Sequence, residues 1–360
     1  MNPQSPLNRL RLFAAVLAPI LALSGCKPPD DATQSQDYVK DPSGVLLPIP
    51  VKRTDNSDAK MVALFLSNGA DPHQSVQAYD LSQRVRAARG YLLTVHDAMG
   101  DSQKQLDQLR EAQSSKPHAV FILPVDPSVL GTELSNLKKN GAYTISLAKG
   151  IEESLCDTTV FSDSQKMGQM AGELIVAALQ RRAKDLQQTP VQGRVVEVRA
   201  EDSSPVSHAR HQGLVGSLGR EEGIVLVHDA SAEGNPNSAV TIFEEALRLQ
   251  KQIDAVYAHS DYIARGVHEA ALKAGLRESI FLVATDGTGG AGGGLEMITQ
   301  NHLDATVHNP LLVDLAWKIL EKHDSDPSFE AKTSYEVQPL AVTPKNLEET
   351  RIKGAPLPEL

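Results

Sequence analysis

The sequence predicts an α/β protein with two doubly wound parallel-sheet lobes. From residue 61 onward, short apolar runs of strand length alternate with segments of helical spacing. This alternation occurs in two successive series, and 360 residues are enough for two domains. Because alternating strands and helices favour a parallel sheet with helices on both faces, two series predict two such lobes.

Residues 1–25 have the features of a secretory signal peptide. Two arginines precede an apolar run at 12–23, which is too short to span a membrane. The residues Leu-Ser-Gly-Cys at 23–26 resemble a bacterial lipobox, a motif that implies acylation of Cys26. We therefore expect a lipid anchor at Cys26, with an ordinary cleaved signal and an incidental cysteine as the alternative. Residues 26–59, rich in proline and polar residues, are predicted to be a flexible tether.

The first strand–helix series begins at residue 61. Strands are predicted where apolar residues run continuously, because a parallel strand is buried on both faces. Gly90 is placed to stop the first helix, and Asp101 to cap the second. The predicted strands are 61–67, 91–95, 119–123 and 142–147, and the predicted helices are 74–88, 101–115 and 128–139.

The second series repeats the pattern after a break near residues 161–163. The predicted strands are 194–198, 224–227, 255–257 and 281–284, and the predicted helices are 165–182, 207–220, 237–250, 261–274 and 311–322. In the last of these helices, Trp317 belongs to an apolar stripe that we expect to pack against the first lobe.

Composition and motifs exclude several classes of function. The net charge is −10, and loss of the signal peptide makes it −12, which argues against nucleic acid as a partner. The sequence contains no Walker lysine, no G-x-S-x-G and no HExxH, so we predict no enzyme activity, no cofactor and no metal. Residues 287–292 match G-x-G-x-x-G, but they come late in the chain and are interpreted as a flexible loop. Cys156 is expected to be an unpaired core thiol.

Several strand-end segments carry a resemblance to a known family. The segments are Phe-Ser-Asp at 161–163, His-Ala-Arg-His-Gln-Gly-Leu at 208–214, Tyr-Ala-His-Ser-Asp at 257–261, Thr-Asp-Gly at 285–287 and Ala-Thr-Val at 305–307. In order and spacing they resemble the type I periplasmic binding proteins, the ribose- and galactose-binding kind, over about residues 61–344. The resemblance implies a three-segment hinge, in which the chain crosses between the lobes near 162–164, 308–310 and 337–339.

The resemblance also implies domain boundaries and a mechanism of hinge closure around a ligand. The implied segments are lobe 1 at 60–162 and 310–336, lobe 2 at 163–309 and 337–345, and a C-terminal tail at 346–360. Ligands are expected at the carboxyl ends of the strands, between the lobes.

Positions that bind ligand in sugar-binding members of the family can be carried over residue by residue. Hydrogen-bonding positions fall on Arg210, Ser260, Asp286 and Asn309. The segments after the first and fourth strands of lobe 1 add Asp71, His73 and Lys149 to the implied ligand-binding residues. Four further positions are possible ligand contacts: His208, Gly234, His259 and His308.

The ligand is expected to be strongly polar. The aromatic residues that sandwich a pyranose in the family are absent at 71–74 and near Gly234, and aromatic residues make up only 4% of the chain. The cations and donors among the implied ligand-binding residues instead suit a carboxylate or phosphate. We therefore expect a sugar, sugar derivative, sugar acid or sugar phosphate. The alternative is that the histidines are surface or interlobe residues.

The expected function is that of a monomeric solute-binding protein, periplasmic or at the cell surface. It would deliver its ligand to an ABC permease and catalyse nothing. The alternative is a receptor that signals through a membrane histidine kinase or chemoreceptor.

Overall fold

The computed structural model describes residues 38–40, 46–48, 58–202 and 204–360. The predicted signal peptide, the predicted lipidation site at Cys26 and most of the predicted tether lie outside the described residues. Within the tether, β1 (Tyr38–Lys40) pairs antiparallel with β2 (Leu46–Pro48). No helix in the described part of the chain is long and apolar enough to cross a membrane.

The first lobe follows the predicted alternation of strand and helix. Its elements in chain order are β3 (Lys60–Leu66), α1 (Pro72–Ala87), β4 (Tyr91–Asp97), α2 (Ser102–Ser115), β5 (Ala119–Ile122), α3 (Gly131–Lys139), β6 (Tyr143–Ser146) and β7 (Thr158–Phe161). Asp71 caps α1 and Asp101 caps α2, each by accepting hydrogen bonds from two backbone N–H groups of the first turn.

The second lobe has five further strand–helix repeats. Its elements are α4 (Ser164–Asp185), β8 (Gly193–Arg199), α5 (Pro205–Leu218), β9 (Ile224–Ser231), α6 (Pro236–Leu249), β10 (Ala255–Ala258), α7 (Asp261–Lys273), β11 (Phe281–Asp286), α8 (Gly294–Thr299) and β12 (Ala305–His308). The chain then continues through α9 (Leu312–Ser325), β13 (Ser334–Glu336), β14 (Leu340–Val342) and α10 (Leu347–Lys353).

These strands form two six-stranded sheets. The first sheet has the order β13-β7-β6-β5-β3-β4 and is parallel throughout. The second has the order β14-β12-β11-β10-β8-β9, in which only β14 is antiparallel to its neighbour. The chain passes between the sheets after β7, after β12 and between β13 and β14. The predicted fold class of two doubly wound parallel-sheet lobes is confirmed.

Both faces of each sheet are buried, which explains the continuous apolar runs. Along β3, Val62 and Leu64 contribute to one core cluster and Ala63 and Phe65 to another on the opposite face. Trp317 on α9 joins the first of these clusters, as its apolar stripe predicted. Cys156 is an unpaired, buried thiol in lobe 1.

The chain after residue 345 differs from the predicted tail. It contains α10, and the Arg351 guanidinium of that helix donates to the Leu295 carbonyl of α8 at 3.1 Å. With only seven residues, α10 is too short for a helical period to stand out in the sequence. Leu347 at its start is buried in the core of lobe 2, and Arg351 also donates to Thr299 Oγ1 of α8.

Candidate functional site

Four predicted ligand-binding residues meet where α1 of lobe 1 faces the strand ends of lobe 2. The His73 Nε2–H donates to the Asn309 carbonyl at 3.1 Å, and the Asn309 N–H donates to the Asp286 carbonyl at 2.9 Å. Asp71 lies two residues before His73 and accepts from the His73 N–H at 2.8 Å. The structure thus brings Asp71, His73, Asp286 and Asn309 together across the two lobes.

Arg210 lies at the centre of the lobe 2 side of this site. Only 6% of the residue is exposed. Its Nη1 donates to the His259 carbonyl, and its Nη2 lies 3.5 Å from Asp286 Oδ1. Its Nε is buried and has no hydrogen-bond partner among the described residues. Because an unpaired buried donor is costly, this N–H is suited to an oxygen atom of a bound molecule.

Asp286 ends β11 in a backbone conformation that is unusual for a residue with a side chain. Its φ is +100° and it is nearly fully buried. Burial raises the pKa of its carboxyl, and the nearby charges of Arg210 and His73 partly offset that rise. Strain of this kind concentrates at ligand sites, where the surrounding structure can hold it.

The other predicted residues of the β10 end serve the local structure. Ser260 caps α7, and its Oγ accepts from the Ile263 N–H at 3.1 Å. The His259 ring is fully buried, so it has no surface for a ligand to touch, and only its carbonyl reaches Arg210. Burial lowers the pKa of His259 to about 4, so the ring is neutral near neutral pH and is not the cation that the sequence suggested.

Two more predicted residues lie at the margin of the site. Lys149 is exposed, and its Nζ lies 4.0 Å from the centroid of the Phe161 ring, in a cation–π contact at the end of β7. His208 is exposed on α5. Among the described residues, the polar partners of the Arg210 side chain are the His259 carbonyl, Met167 and Asp286, so the predicted cluster of cations does not form around the guanidinium.

His308 and Gly234 shape the loops at the strand ends. The His308 Nδ1–H donates to the Gly287 carbonyl at 2.9 Å, and burial lowers the pKa of this ring. Gly234 has a φ of +66°, and a Cβ atom there would lie 3.2 Å from Glu201 Oε1.

Asp261 is a buried carboxylate whose part in the site the sequence analysis missed. Its Oδ2 accepts from the Thr288 N–H at 2.9 Å and from the Gly294 N–H at 2.8 Å. It thereby fixes both ends of the glycine-rich loop that the sequence analysis interpreted as flexible. Burial and the neighbouring Asp286 raise the pKa of Asp261 to about 7. The signal that could have identified Asp261 is its position directly after Ser260 at the end of a strand.

Glu201, at the end of β8, also went unpredicted. Burial raises the pKa of its carboxyl, and the negative charges of Asp71 and Glu233 add to that rise. The candidate site therefore brings the carboxyl groups of Asp71, Glu201 and Asp286 near the Arg210 guanidinium. A strand-end position in a parallel sheet is the signal that could have identified Glu201.

A cavity of about 350 Å³ lies at the opposite edge of the second sheet. Its lining includes Arg194 at the start of β8 and Asp254 just before β10. Ligands of open parallel sheets bind at the carboxyl ends of the strands, so we place the candidate site at Arg210 and not in this cavity. In the described part of the chain, no three His, Cys, Asp or Glu residues are arranged to hold a metal ion.

Comparison with known proteins identifies a family and several relatives. The sequence model of a family described as periplasmic binding protein domain matches residues 62–311. The ribose import binding protein of Bacillus subtilis is 27% identical over 219 residues, which are 61% of this chain. That match spans 66% of the Bacillus protein, just under two thirds of its length. The D-xylose-binding periplasmic protein of Haemophilus influenzae is 25% identical over 288 residues, 76% of this chain and 83% of that protein.

Solved structures of the same fold cover more of the chain. An ABC transporter solute-binding protein of Bacillus halodurans with bound myo-inositol has a TM-score of 0.69 and 20% identity, and covers 83% of this chain and 99% of its own. The fructose-binding periplasmic domain of a hybrid two-component system has the same TM-score and identity. That match covers 82% of this chain and 94% of the fructose-binding domain. At these identities the likeness shows the fold.

Proposed function

The chain belongs to the periplasmic binding protein domain family, and from that premise we propose that it captures a sugar or related polyol outside the cytoplasm and delivers it to an ABC importer. The observation that carries this proposal is the meeting of His73 and Asn309 across the lobes beside the Arg210–Asp286 pair. Named relatives that import or bind ribose and D-xylose support a carbohydrate as the ligand class.

The proposed mechanism is closure of the lobes around the solute. Hydroxyl groups can accept from the unpaired Arg210 Nε–H and donate to the carboxylates of Asp71 and Asp286. Contacts from both lobes then stabilise the closed state relative to the open one. The three crossings between the sheets are the segments at which the chain would bend.

The charges around Arg210 favour a neutral solute over an anionic one. A sugar acid or sugar phosphate would bring negative charge to a site that already holds Asp71, Glu201 and Asp286. The charge of Arg210 is already paired with Asp286, and the ammonium of Lys149 lies over the Phe161 ring, so neither cation has a charge left uncompensated for an anionic solute. Binding would then depend on hydrogen bonds from hydroxyl groups, in keeping with the small number of aromatic residues.

We further propose that Cys26 anchors the chain to a membrane, with the binding domain in the periplasm or at the cell surface, as a monomer. The lipobox-like residues 23–26 and the signal-like residues before them support this localisation. One acylated residue is enough to hold a soluble domain at a membrane surface when it carries more than one chain.

A thermal-shift screen of the full chain tests the proposed ligand class. The screen would compare D-ribose, D-xylose, D-fructose and myo-inositol with D-gluconate and ribose 5-phosphate. A solute present at about 1,000 times its Kd stabilises the folded state by roughly 4 kcal/mol, which gives a clear rise in Tm. We expect a neutral solute to stabilise the native chain and not Arg210→Lys, because lysine cannot supply the guanidinium geometry.

Two results would count against this proposal. Stabilisation by the anions alone would overturn the neutral ligand class. Stabilisation by none of the six compounds would remove the support for carbohydrate binding.

A second candidate function is sensing. The likeness to the fructose-binding domain of a hybrid two-component system is the observation that favours it. Measuring the uptake of a radiolabelled solute by cells that lack this gene distinguishes transport from sensing. Transport predicts that uptake is lost, whereas sensing predicts normal basal uptake with loss of solute-induced transcription.

A further inference from the structure

Behind Arg210, the interior of lobe 2 contains four linked polar side chains that we call the Glu197 array: Glu197, Ser207, His211 and His259. Glu197 Oε1 lies 2.8 Å from His259 Nε2, and Glu197 Oε2 lies 2.6 Å from His211 Nδ1. The other ring nitrogen of His259, Nδ1, lies 3.2 Å from Ser207 Oγ. Glu197, His259 and Ser207 are buried, so these three side chains cannot touch a solute directly, whereas His211 is half-buried.

The protonation states of the array follow from its contacts. Burial alone would raise the pKa of Glu197, but hydrogen bonds from His259 and His211 outweigh burial and lower it, so Glu197 is a carboxylate. His259 is neutral, because burial lowers its pKa to about 4. Its Nε2–H must therefore donate to Glu197, which leaves Nδ1 to accept from the Ser207 hydroxyl. Both nitrogens of the ring are thus held.

His259 connects this array to the candidate site through its backbone. The His259 carbonyl accepts from Arg210 Nη1, while the His259 N–H donates to the Val198 carbonyl at 3.0 Å. The guanidinium is held on its other side by Asp286. A His259 residue fixed at its ring and its N–H has little freedom to move its carbonyl, so Arg210 has a rigid acceptor.

The array is costly for a purely structural element. A buried carboxylate loses its hydration and recovers that loss only through good hydrogen bonds. The order Ser207–His259–Glu197 is similar to a hydrolytic triad, yet the serine and the ring are buried, so no substrate can reach them. The array does include His259, whose backbone carbonyl accepts from Arg210 Nη1.

We propose that Glu197 is a positioning residue of the solute site, which fixes His259 and thereby orients the Arg210 guanidinium without contacting the solute. This inference rests on the proposed function, because the proposed function is what gives Arg210 a solute to bind. Its structural content, the immobilisation of Arg210, can be measured without any solute.

The first measurement is the ¹⁵N–¹H resonance of the Arg210 Nε–H in the full chain, assigned by its absence in Arg210→Lys. A buried, fixed Nε–H gives a dispersed signal that exchanges slowly with solvent. We expect Glu197→Gln to retain this signal, because the amide oxygen still accepts from His259, and Glu197→Leu to lose or broaden it. Ser207→Ala, a milder change at the other ring nitrogen, should broaden it.

The matched control is Asp254→Asn. Asp254 is a similarly buried carboxylate of lobe 2 that pairs with Arg182 at 3.2 Å, but it lies at the opposite edge of the same sheet. We expect this variant to lower Tm while leaving the Arg210 signal unchanged. An Arg210 signal that is the same in the native chain, Glu197→Leu and Ser207→Ala overturns the inference, as does equal loss in Asp254→Asn. If Glu197→Leu does not fold, Ser207→Ala and Asp254→Asn decide the question.

The second measurement is affinity for D-ribose and myo-inositol, taken well below the Tm of every variant. For a probe that binds the native chain, we expect Kd to rise about tenfold or more in Glu197→Leu and to be restored in Glu197→Gln. Asp254→Asn should leave Kd unchanged. If neither probe binds the native chain, the carbohydrate proposal loses support while the Arg210 signal still decides the positioning role. If a probe binds all variants equally, the inference fails and the proposed function stands.

Discussion

At the scale of single residues, the site depends on groups that are buried with little compensation. Arg210 Nε has no partner in the described part of the chain, Asp286 has a strained φ, and Asp261 holds a loop with a carboxyl that burial makes hard to ionise. We expect each of these groups to lower the stability of the chain in the absence of a solute. An exchange of stability for function of this kind would be consistent with the proposed binding site.

Replacing Asp261 with asparagine tests the cost of its buried charge. The folded pKa of about 7 is above the unfolded value, so the contribution of Asp261 to stability is present at low pH and is lost as pH rises through about 7. Asparagine keeps one oxygen that can accept from the Thr288 and Gly294 N–H groups, as Asp261 Oδ2 does, but it cannot ionise. We expect the native chain to lose stability relative to Asp261→Asn between about pH 4 and about pH 8, as measured by urea unfolding. A difference that does not change with pH would contradict this expectation.

At the scale of secondary-structure elements, the position of Arg210 is set by the close packing of α4 and α5. A Cβ atom on Gly168 of α4 would lie 1.8 Å from the Arg210 carbonyl, and one on Gly213 of α5 would lie 2.0 Å from the Gln165 carbonyl. These are backbone atoms, which cannot move aside without separating the helices. Glycine at both positions therefore allows the approach that brings Arg210 to the strand ends.

The substitution Gly213→Ala is expected to lower the free energy of unfolding by about 3 kcal/mol, because the helices must separate to admit the methyl group. Gly216→Ala on the same helix is the control. A Cβ there meets nothing within 4 Å, so alanine should stabilise the chain by about 1 kcal/mol through its helix propensity. Urea denaturation of both variants checks the pair. Similar effects from the two substitutions would show that the close approach of the helices is unimportant.

At the scale of the whole molecule, three crossings join two lobes whose cores are separate. Each sheet has its own apolar clusters on both faces, so one lobe can rotate relative to the other without disrupting either core. Between the lobes lie polar contacts such as the one from His73 to Asn309. We expect such contacts to form and break if the lobes close around a solute.

Closure can be followed by small-angle X-ray scattering. We expect the radius of gyration, about 20 Å for a compact domain of this size, to decrease when a solute found by the thermal-shift screen is added. Arg210→Lys should show no decrease at the same concentration, because it lacks the lobe 2 contact that favours the closed state. A radius that does not change in the native chain while the solute binds would argue against hinge closure.

The anchor is tested by fractionating cells that express the full chain. We expect the native chain in the membrane fraction and Cys26→Ser in the soluble fraction, since serine cannot be acylated. Cys156→Ser, which alters the buried thiol, should leave the chain with the membrane. Membrane association of Cys26→Ser would contradict a lipid anchor at this residue.

Much of the fold could be predicted because local patterns encode it. Continuous apolar runs identified the long strands of both lobes, since a strand buried on two faces must be apolar along its length. The short strands β7, β12, β13 and β14 and the helix α10 were not predicted. Their residues form structure only because an adjacent strand or helix supplies the partner.

The candidate site could be predicted only as far as the ends of the strands could be located in the sequence. The resemblance drew attention to Asp71, His73, Arg210, Asp286 and Asn309, which the structure brings together. It could not reveal that the His259 ring is buried or that Lys149 lies over Phe161, because the direction of a side chain depends on packing.

By itself, the sequence determined the alternation of strand and helix, the two-lobed fold class and the strand-end positions at which polar residues would collect. Only the tertiary structure decided which of those residues share a site. It also decided that carboxyl groups outnumber cationic groups around Arg210. The physical reason is the distance along the chain over which each interaction acts. Periodicity and capping act between near neighbours in the chain, whereas burial and charge depend on residues such as Glu197 and His259, which are distant in sequence and meet only after folding.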